Sequence, residues 1–233
     1  MPQCLNSKTR LPVKFAAPFL RKFIVLYNAF YEAIISEWTD AAIPLTQEGM
    51  DSWFKDKKQN SGFDFPNLPY LVDDDLKFTQ SCAILRHLGR KFDLMPSDAA
   101  DIVRVECFEQ YLQEVRNALT KVCYSSEDKF EDLKADFIGK LDARMKDLDN
   151  FIGDGPYALG DKITYVDFMA LEYLDHVATF SPDHFQKGPT ADFLSRMKNL
   201  PALKKFYESD DCTHKSYTIN APFSAWPGWP NKQ

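Results

Sequence analysis

The strongest constraint on the fold is a change in the spacing of apolar residues near residue 94. Beyond it they recur every three or four positions, first as Val105, Phe108, Leu112, Val115, Leu119 and Val122. This spacing places one apolar stripe along a long, packed helix. A second series predicts another long helix through Phe130, Leu133, Phe137, Leu141, Met145 and Leu148. Residues 95–233 are therefore predicted to form an all-helical domain.

The segment "ITYVDF" marks the start of a third helix. Thr164 is a candidate N-cap, and Asp167, three residues later, can bond back to the N-cap backbone and complete a capping box. Ile163 and Phe168 take the two positions of a hydrophobic staple around this cap. The pattern specifies a helix start and says nothing about function.

The first part of the chain alternates between strand and helix patterns. Alternating apolar residues over 11–15 predict a short strand, and Pro18 suits the first turn of a helix. Residues 19–30 follow at helical spacing, and "YEAIISEW" (31–38) predicts a second strand. A strand, a helix and a strand over this length form a βαβ unit, whose two strands are parallel.

A β-hairpin is predicted after residue 68. Pro69 heads the strand "PYLVD", where its missing N–H is tolerated at the first position. Asp73, Asp74 and Asp75 supply turn chemistry and are expected to be solvated, and "KFT" returns as the second strand. No metal site is expected at this turn.

The hairpin leads into a helix over residues 80–92. Ile84, Leu88 and Phe92 line its apolar face, and the basic residues are expected to face water: Arg86, Arg90 and Lys91. Gly89 would allow another element to approach closely. Residues 1–94 are therefore predicted to form an α/β domain, βαβ followed by ββα, with a small mixed sheet.

Composition excludes several classes of function. The net charge of −6 argues against nucleic acid as a partner, because phosphate binding needs a basic face. The sequence shows neither a stretch of membrane-spanning length nor a secretory-signal pattern. Five scattered cysteines without a CxxC motif favour reduced thiols in the cytosol, with Cys82, Cys107 and Cys123 as small buried side chains. The four histidines lack metal-ligand spacing.

Three segments together resemble the mu class of cytosolic glutathione transferases. They are "FDFPNLPYLVDDDLKFTQSCAIL" (63–85), "KVCYSSEDKFEDLK" (121–134) and "GDKITYVDFMALEYLDHV" (160–177). "SCAILRHLGRKF" (81–92) and "YTINAPFSAW" (217–226) are most similar to the mite-allergen branch of that class. The resemblance extends from Trp53 to Trp226 and is weak over residues 1–52.

This resemblance implies a thioredoxin-like domain over residues 1–94 that binds glutathione. It also implies a helical domain over 95–233 that shelters a hydrophobic electrophile. The expected reaction joins the thiolate of reduced glutathione to that electrophile, as in detoxification. Glutathione is then a co-substrate, and neither a cofactor nor a metal is expected.

The resemblance also assigns the residues that would bind glutathione. The Leu68–Pro69 bond would be cis and would turn the Leu68 backbone outward to pair with the cysteinyl group. Gln80 and Ser81, at a helix N-terminus, would bind the γ-glutamyl carboxylate. Trp53 and Lys57 would meet the glycine end, and Asn67 would add a side-chain contact. Outside this context, Trp53 is more often a core residue than a site residue.

A homodimer follows from the same resemblance. Phe65 matches an aromatic residue that inserts into the helical domain of the other subunit. Glu114 matches an acidic position that reaches the γ-glutamyl amine of the neighbouring site, although the family has the shorter Asp there. Tyr124 matches a tyrosine that faces the electrophile, where its hydroxyl can stabilise developing charge.

The first strand departs from the mu-class pattern. That class uses a tyrosine hydroxyl near this strand to ionise the thiol, and this chain has no tyrosine before Tyr27. The tyrosine position maps to Thr9 or Leu11, and the candidate hydroxyl donors are Thr9 and Ser7. The family arginine shortly before Trp53 is also missing.

Three explanations for this departure remain open. Thr9 or Ser7 substitutes for the tyrosine in a working enzyme. The site binds glutathione without ionising it, which would make the chain a non-catalytic binding protein for glutathione and apolar ligands. In the third, residues 1–52 come from a divergent or mis-assembled exon.

Overall fold

The computed structural model describes residues 13–15, 38–40, 47–201, 203–204, 208 and 225. Within these ranges the chain divides into two compact units. One comprises residues 1–84 with 201–203, and the other comprises 85–200 with 204–233. The placement of a domain boundary at residue 94 stays a prediction.

The first unit contains a four-stranded mixed sheet in the order β2-β1-β3-β4. Its strands are β1 (Val13–Phe15), β2 (Trp38–Asp40), β3 (Tyr70–Asp73) and β4 (Leu76–Thr79). Strands β1 and β2 are parallel, whereas β3 is antiparallel to both β1 and β4. The predicted mixed sheet and the β3–β4 hairpin are confirmed. The segment predicted as the second strand, 31–38, meets β2 only at Trp38, and its other residues lie outside the described part.

Seven α-helices are described from end to end, and most of them belong to the second unit. Their bounds are α1 (Gln47–Ser52), α2 (Ser81–Lys91), α3 (Ala99–Cys123), α4 (Glu127–Gly139), α5 (Leu141–Ile152), α6 (Tyr165–Phe180) and α7 (Pro189–Lys198). A π-helical turn (Trp53–Lys57) continues α1, and a 3₁₀ turn (Pro182–Phe185) follows α6. Among these helices, none combines the length and the apolar character that crossing a membrane requires.

The start of α6 confirms the predicted capping box. Asp167 accepts hydrogen bonds from the Thr164 N–H (2.7 Å) and from the Thr164 hydroxyl (3.0 Å). It also accepts one from the Ala158 N–H at 2.7 Å. The helix behind this cap is the most buried in the second unit, with every residue from Tyr165 to Val177 buried. The cap therefore fixes the first turn of the central helix.

The prediction of one long second helix was wrong, because the segment forms two helices. The Lys140 N–H bonds to the Phe137 carbonyl at 3.2 Å, a three-residue spacing that ends α4. Gly139, the last residue of α4, contributes a low helix propensity at this break. The apolar spacing continues through Leu141, which is fully buried, so the periodicity alone could not reveal the interruption.

Three expectations about exposure were also wrong. Asp73 is buried, although Asp74 and Asp75 are exposed as expected. Cys107 is exposed on α3, and Cys82 is half-buried, so Cys123 alone of the three described cysteines is fully buried. Arg86 is half-buried rather than fully solvent-facing, and its Nε donates to the buried Glu109 at 2.8 Å.

Gly89 has the role that was predicted for it. A Cβ built at this position would lie 3.1 Å from Tyr165 Cβ and 3.3 Å from Met95 Cγ. Such contacts are tighter than ordinary van der Waals distances. The missing side chain therefore lets α2 approach the first turn of α6, which the Tyr165 N–H bond to the Leu94 carbonyl (3.0 Å) fixes from the other side.

Candidate functional site

The loop before β3 presents backbone groups at the surface of the first unit. The Leu68–Pro69 peptide bond is cis, as predicted. Pro66 and Pro69 have no N–H, and the Leu68 N–H donates to the neighbouring Asn67 Oδ1 at 2.9 Å. Asn67 is exposed, so its side chain can turn away and release the Leu68 N–H to a ligand carbonyl. The loop thus offers one exchangeable backbone donor.

The turn from β4 into α2 holds one residue in an unusual backbone conformation. Gln80 has a φ of 75°, a left-handed backbone that glutamine seldom adopts. Its carbonyl accepts the Ile84 N–H at 3.0 Å, so Gln80 begins the hydrogen-bond pattern of α2. The Gln80 side chain is exposed and Ser81 is half-buried. Together with the N-terminus of α2, these groups can donate hydrogen bonds to a carboxylate, and that role stays a prediction.

Hairpin pairing brings the two segments together. Tyr70 pairs with Thr79 across β3 and β4, which places Pro69 beside Gln80 at the same end of the hairpin. The Thr79 hydroxyl donates to the Phe65 carbonyl at 2.6 Å and holds the far end of the loop. The predicted residues Asn67, Leu68, Pro69, Gln80 and Ser81 therefore share one end of the hairpin.

Trp53 packs behind this end of the hairpin. It is only 3% exposed, and its ring is stacked on that of Tyr70 with centroids 6.1 Å apart. Phe63 also contacts Tyr70, at 5.1 Å between centroids. This burial gives Trp53 a packing role, and its contact with glutathione stays a prediction. The Lys57 side chain and Thr9 lie outside the described atoms.

One predicted residue lies on α3 in the second unit, and another directly follows that helix. Glu114 is exposed. Tyr124 follows the last residue of α3 and is 43% exposed. Burial, with a smaller contribution from Cys123, raises the pKa of Tyr124, and Arg116 opposes this in part. The phenol therefore remains protonated at neutral pH and can donate a hydrogen bond. The Ala225 N–H donates to the Cys123 carbonyl at 2.7 Å, so Ala225 lies close to the end of α3.

Sequence reasoning missed two features of the site. The left-handed backbone of Gln80 had no signal in the sequence, because glutamine is not a residue that marks positive φ. The hydrogen bond from Thr79 to Phe65 joins residues 14 positions apart. Predicting it would require the register of β4 against β3, which the sequence does not give. No group of three or more His, Cys, Asp or Glu side chains that could hold a metal ion occurs within the described ranges.

Comparison with known protein families covers both units. A model described as the glutathione S-transferase N-terminal domain matches residues 41–90, and one described as the C-terminal domain matches residues 113–210. The first match contains the loop and hairpin described above. The second contains Glu114 and Tyr124.

Individual relatives are similar over most of their length. The chain is 38% identical to a glutathione S-transferase of Dermatophagoides pteronyssinus over 172 residues, covering 73% of this chain and 75% of the relative. It is 38% identical to glutathione S-transferase Mu 1 of Bos taurus over 159 residues, covering 68% and 72%. The crystal structure of the glutathione S-transferase Blo t 8 superposes with a TM-score of 0.78 at 30% identity, covering 93% of this chain and 99% of that structure.

Proposed function

Because the chain belongs to the glutathione S-transferase family, with mu-class members among its relatives, we propose that it conjugates the thiolate of reduced glutathione to hydrophobic electrophiles. One observation supports this most strongly. The cis Leu68–Pro69 loop and the Gln80–Ser81 helix start lie side by side at one end of the β3–β4 hairpin. That pairing offers one place for a peptide backbone and another for a carboxylate.

Glutathione fits the two places by its chemistry. Its cysteinyl backbone can pair with the Leu68 N–H and C=O like an added strand, with the Asn67 amide displaced. Its γ-glutamyl carboxylate can accept hydrogen bonds from the Gln80 amide, the Ser81 hydroxyl and the backbone N–H groups of the α2 N-terminus. Lys57 and Trp53 are proposed to meet the glycine end. The reaction then needs glutathione as co-substrate and no further cofactor.

Activation of the thiol is the step that this chain must carry out differently. A free thiol has a pKa of about 8.5, so only a few per cent is ionised at neutral pH. Lowering that pKa by two would require roughly 2.7 kcal/mol of preferential stabilisation of the thiolate. We propose that the Thr9 hydroxyl supplies this hydrogen bond in place of the absent tyrosine. The proposal predicts that Thr9→Val lowers turnover while glutathione affinity is retained.

Calorimetric titration with glutathione tests the proposed function. The titration is run at neutral pH in two buffers of different ionisation enthalpy, and the difference between them reports the protons released on binding. Binding with release of a substantial fraction of a proton supports a transferase that ionises the thiol. Binding without release supports the non-catalytic alternative, and no binding contradicts both.

Variants of Gln80 and Ser81 test whether these residues bind the γ-glutamyl carboxylate. We expect Ser81→Ala and Gln80→Ala to weaken glutathione binding, because each removes a donor to the γ-glutamyl carboxylate. Ser126→Ala is the matched control, since Ser126 is exposed and makes no side-chain cap bond at the start of α4. Unchanged affinity in the first two variants would contradict the assignment of the γ-glutamyl site.

We propose further that the chain acts as a cytoplasmic homodimer. Phe65 is 72% exposed, which is unusual for a phenylalanine and suits an aromatic residue that inserts into a partner's helical domain. Glu114 would then reach the γ-glutamyl amine in the neighbouring site. Sedimentation at micromolar concentration should give a dimer for the wild-type chain and a monomer for Phe65→Ser. A monomeric wild-type chain would contradict this role.

A further inference from the structure

Thr79 lies where the two halves of the proposed glutathione site meet. It is the last residue of β4 and is followed directly by Gln80 and Ser81. Its backbone pairs with Tyr70, the first residue after the cis Leu68–Pro69 bond. Its side chain is 5% exposed, and its hydroxyl donates to the Phe65 carbonyl at 2.6 Å. One residue thus contacts both ends of the loop and precedes the carboxylate site.

A hydrogen bond from outside the loop holds it in the described part of the chain. Its two prolines, Pro66 and Pro69, offer no N–H, and the Leu68 N–H is satisfied locally by Asn67. Within the described residues, the Thr79 hydroxyl is the hydrogen-bond donor from outside segment 65–69 that reaches it. Because the bond is short and its donor residue is buried, it fixes the upstream end of the loop relative to β4.

We propose that Thr79 is a positioning residue for glutathione. This proposal rests on the function proposed above. Pairing with Tyr70 fixes the downstream end of loop 65–70, and the hydroxyl bond to Phe65 fixes its upstream end. The Leu68 backbone is thereby held at a set distance from Gln80 and Ser81. Glutathione must contact both segments at once, so loss of this spacing weakens binding of the whole tripeptide.

Replacement of the hydroxyl at constant shape tests the proposal. We expect Thr79→Val to raise the glutathione KM and calorimetric Kd by roughly 5- to 10-fold, the scale of one lost hydrogen bond. The kcat at saturating glutathione should stay within about twofold, because Thr79 touches no reacting atom. Thr79→Ser keeps the hydroxyl and should return the affinity to within about twofold of wild type.

A matched control separates positioning from general stability. Thr190 is fully buried in the second unit, and its hydroxyl makes no hydrogen bond within the described residues. Thr190→Val therefore removes a buried hydroxyl without breaking a bond, and we expect glutathione affinity to remain at the wild-type value. If Thr79→Val folds poorly by circular dichroism, Thr79→Ala compared with Thr79→Ser carries the test, because these variants differ by the hydroxyl alone.

The outcomes separate this proposal from the one on which it rests. Weaker binding in Thr79→Val, rescue by Thr79→Ser and no change in Thr190→Val would support it. Binding by the wild-type chain with unchanged affinity in Thr79→Val would overturn the positioning role and leave the proposed function intact. No binding by the wild-type chain would overturn both.

Discussion

Arg86 and Tyr165 donate hydrogen bonds to the same oxygen of a buried carboxylate. Arg86 Nε lies 2.8 Å and Tyr165 Oη 2.7 Å from Glu109 Oε2, and Glu109 is fully buried. Three helices, α2, α3 and α6, meet at this oxygen. Glu109 also lies on the buried face of α3 among apolar residues, and its other oxygen accepts a longer hydrogen bond from Gln110 Nε2 at 3.3 Å.

Removal of the arginine should therefore be costly. We expect Arg86→Met to lower the free energy of unfolding by about 3 kcal/mol or more, because it leaves a buried carboxylate without its countercharge. Tyr165→Phe removes a neutral donor and should cost only about 1–2 kcal/mol. Urea unfolding measures both. If Arg86→Met and Glu109→Gln were additive in the double variant, the two side chains would not be coupled as the geometry indicates.

The close approach at Gly89 gives a second stability prediction. Gly89→Ala gains roughly 1 kcal/mol of helix propensity but forces a methyl group to within 3.1 Å of Tyr165 Cβ. Tyr165 is fully buried, so the net effect should be a loss of about 1–2 kcal/mol. Gly139→Ala is the control, since no atom lies within 4 Å of the added Cβ, and it should be neutral or stabilising. Thermal unfolding of both variants checks the prediction, and equal shifts would contradict it.

The sequence predicted most elements because local pattern and final packing agree in them. Pro69 and the turn at residues 73–75 predicted β3 and β4, a periodic apolar stripe predicted α3, and a capping box predicted the start of α6. Arg86 was predicted to face water because an arginine on a surface helix normally does. That prediction was wrong. Nothing in the local sequence shows that a buried Glu109, 23 residues away, would be its partner.

For the candidate site, the residues could be predicted from the sequence but their local conformation could not. The resemblance assigned residues to glutathione, and the hairpin register then placed five of them at one end of the first unit. The left-handed conformation of Gln80 and the Thr79–Phe65 bond arise from tertiary constraints on the turn, which residue type does not encode. Thr9 lies outside the described residues, and its role in thiol activation stays a prediction.

The conformation of Gln80 predicts that glycine and alanine at this position differ in stability but not in glutathione binding. A left-handed backbone costs a non-glycine residue about 1 kcal/mol, which glycine does not incur. We therefore expect Gln80→Gly to be more stable than Gln80→Ala by roughly 0.5–1 kcal/mol, while both lose glutathione affinity equally. Urea unfolding and calorimetry on the two variants test this together. Retained affinity in either variant would show that the side chain does not contact glutathione.

Asp167 carries the pH dependence that the structure makes testable. Its carboxylate accepts three hydrogen bonds, which favour the charged form, but burial outweighs them and raises the pKa of Asp167 to about 6. The unfolded chain has a pKa near 3.8 at this residue. Between these two values the folded chain binds a proton that the unfolded chain has released. The contribution of Asp167 to stability is therefore present in full below about pH 4 and is lost as the pH rises through about 6.

Comparison of Asp167→Asn with wild type isolates this contribution. As the pH falls from 6 to 4, we expect the stability of wild type relative to the variant to increase by roughly 2–3 kcal/mol, because the variant cannot titrate. Asp136→Asn is the control: the exposed Asp136 bonds to Lys140, which lowers the pKa of Asp136, so its contribution is lost only at more acidic pH. Urea unfolding of the three chains between pH 4 and 7 measures both differences. A flat difference for Asp167→Asn across this range would mean that Asp167 stays ionised at the α6 cap.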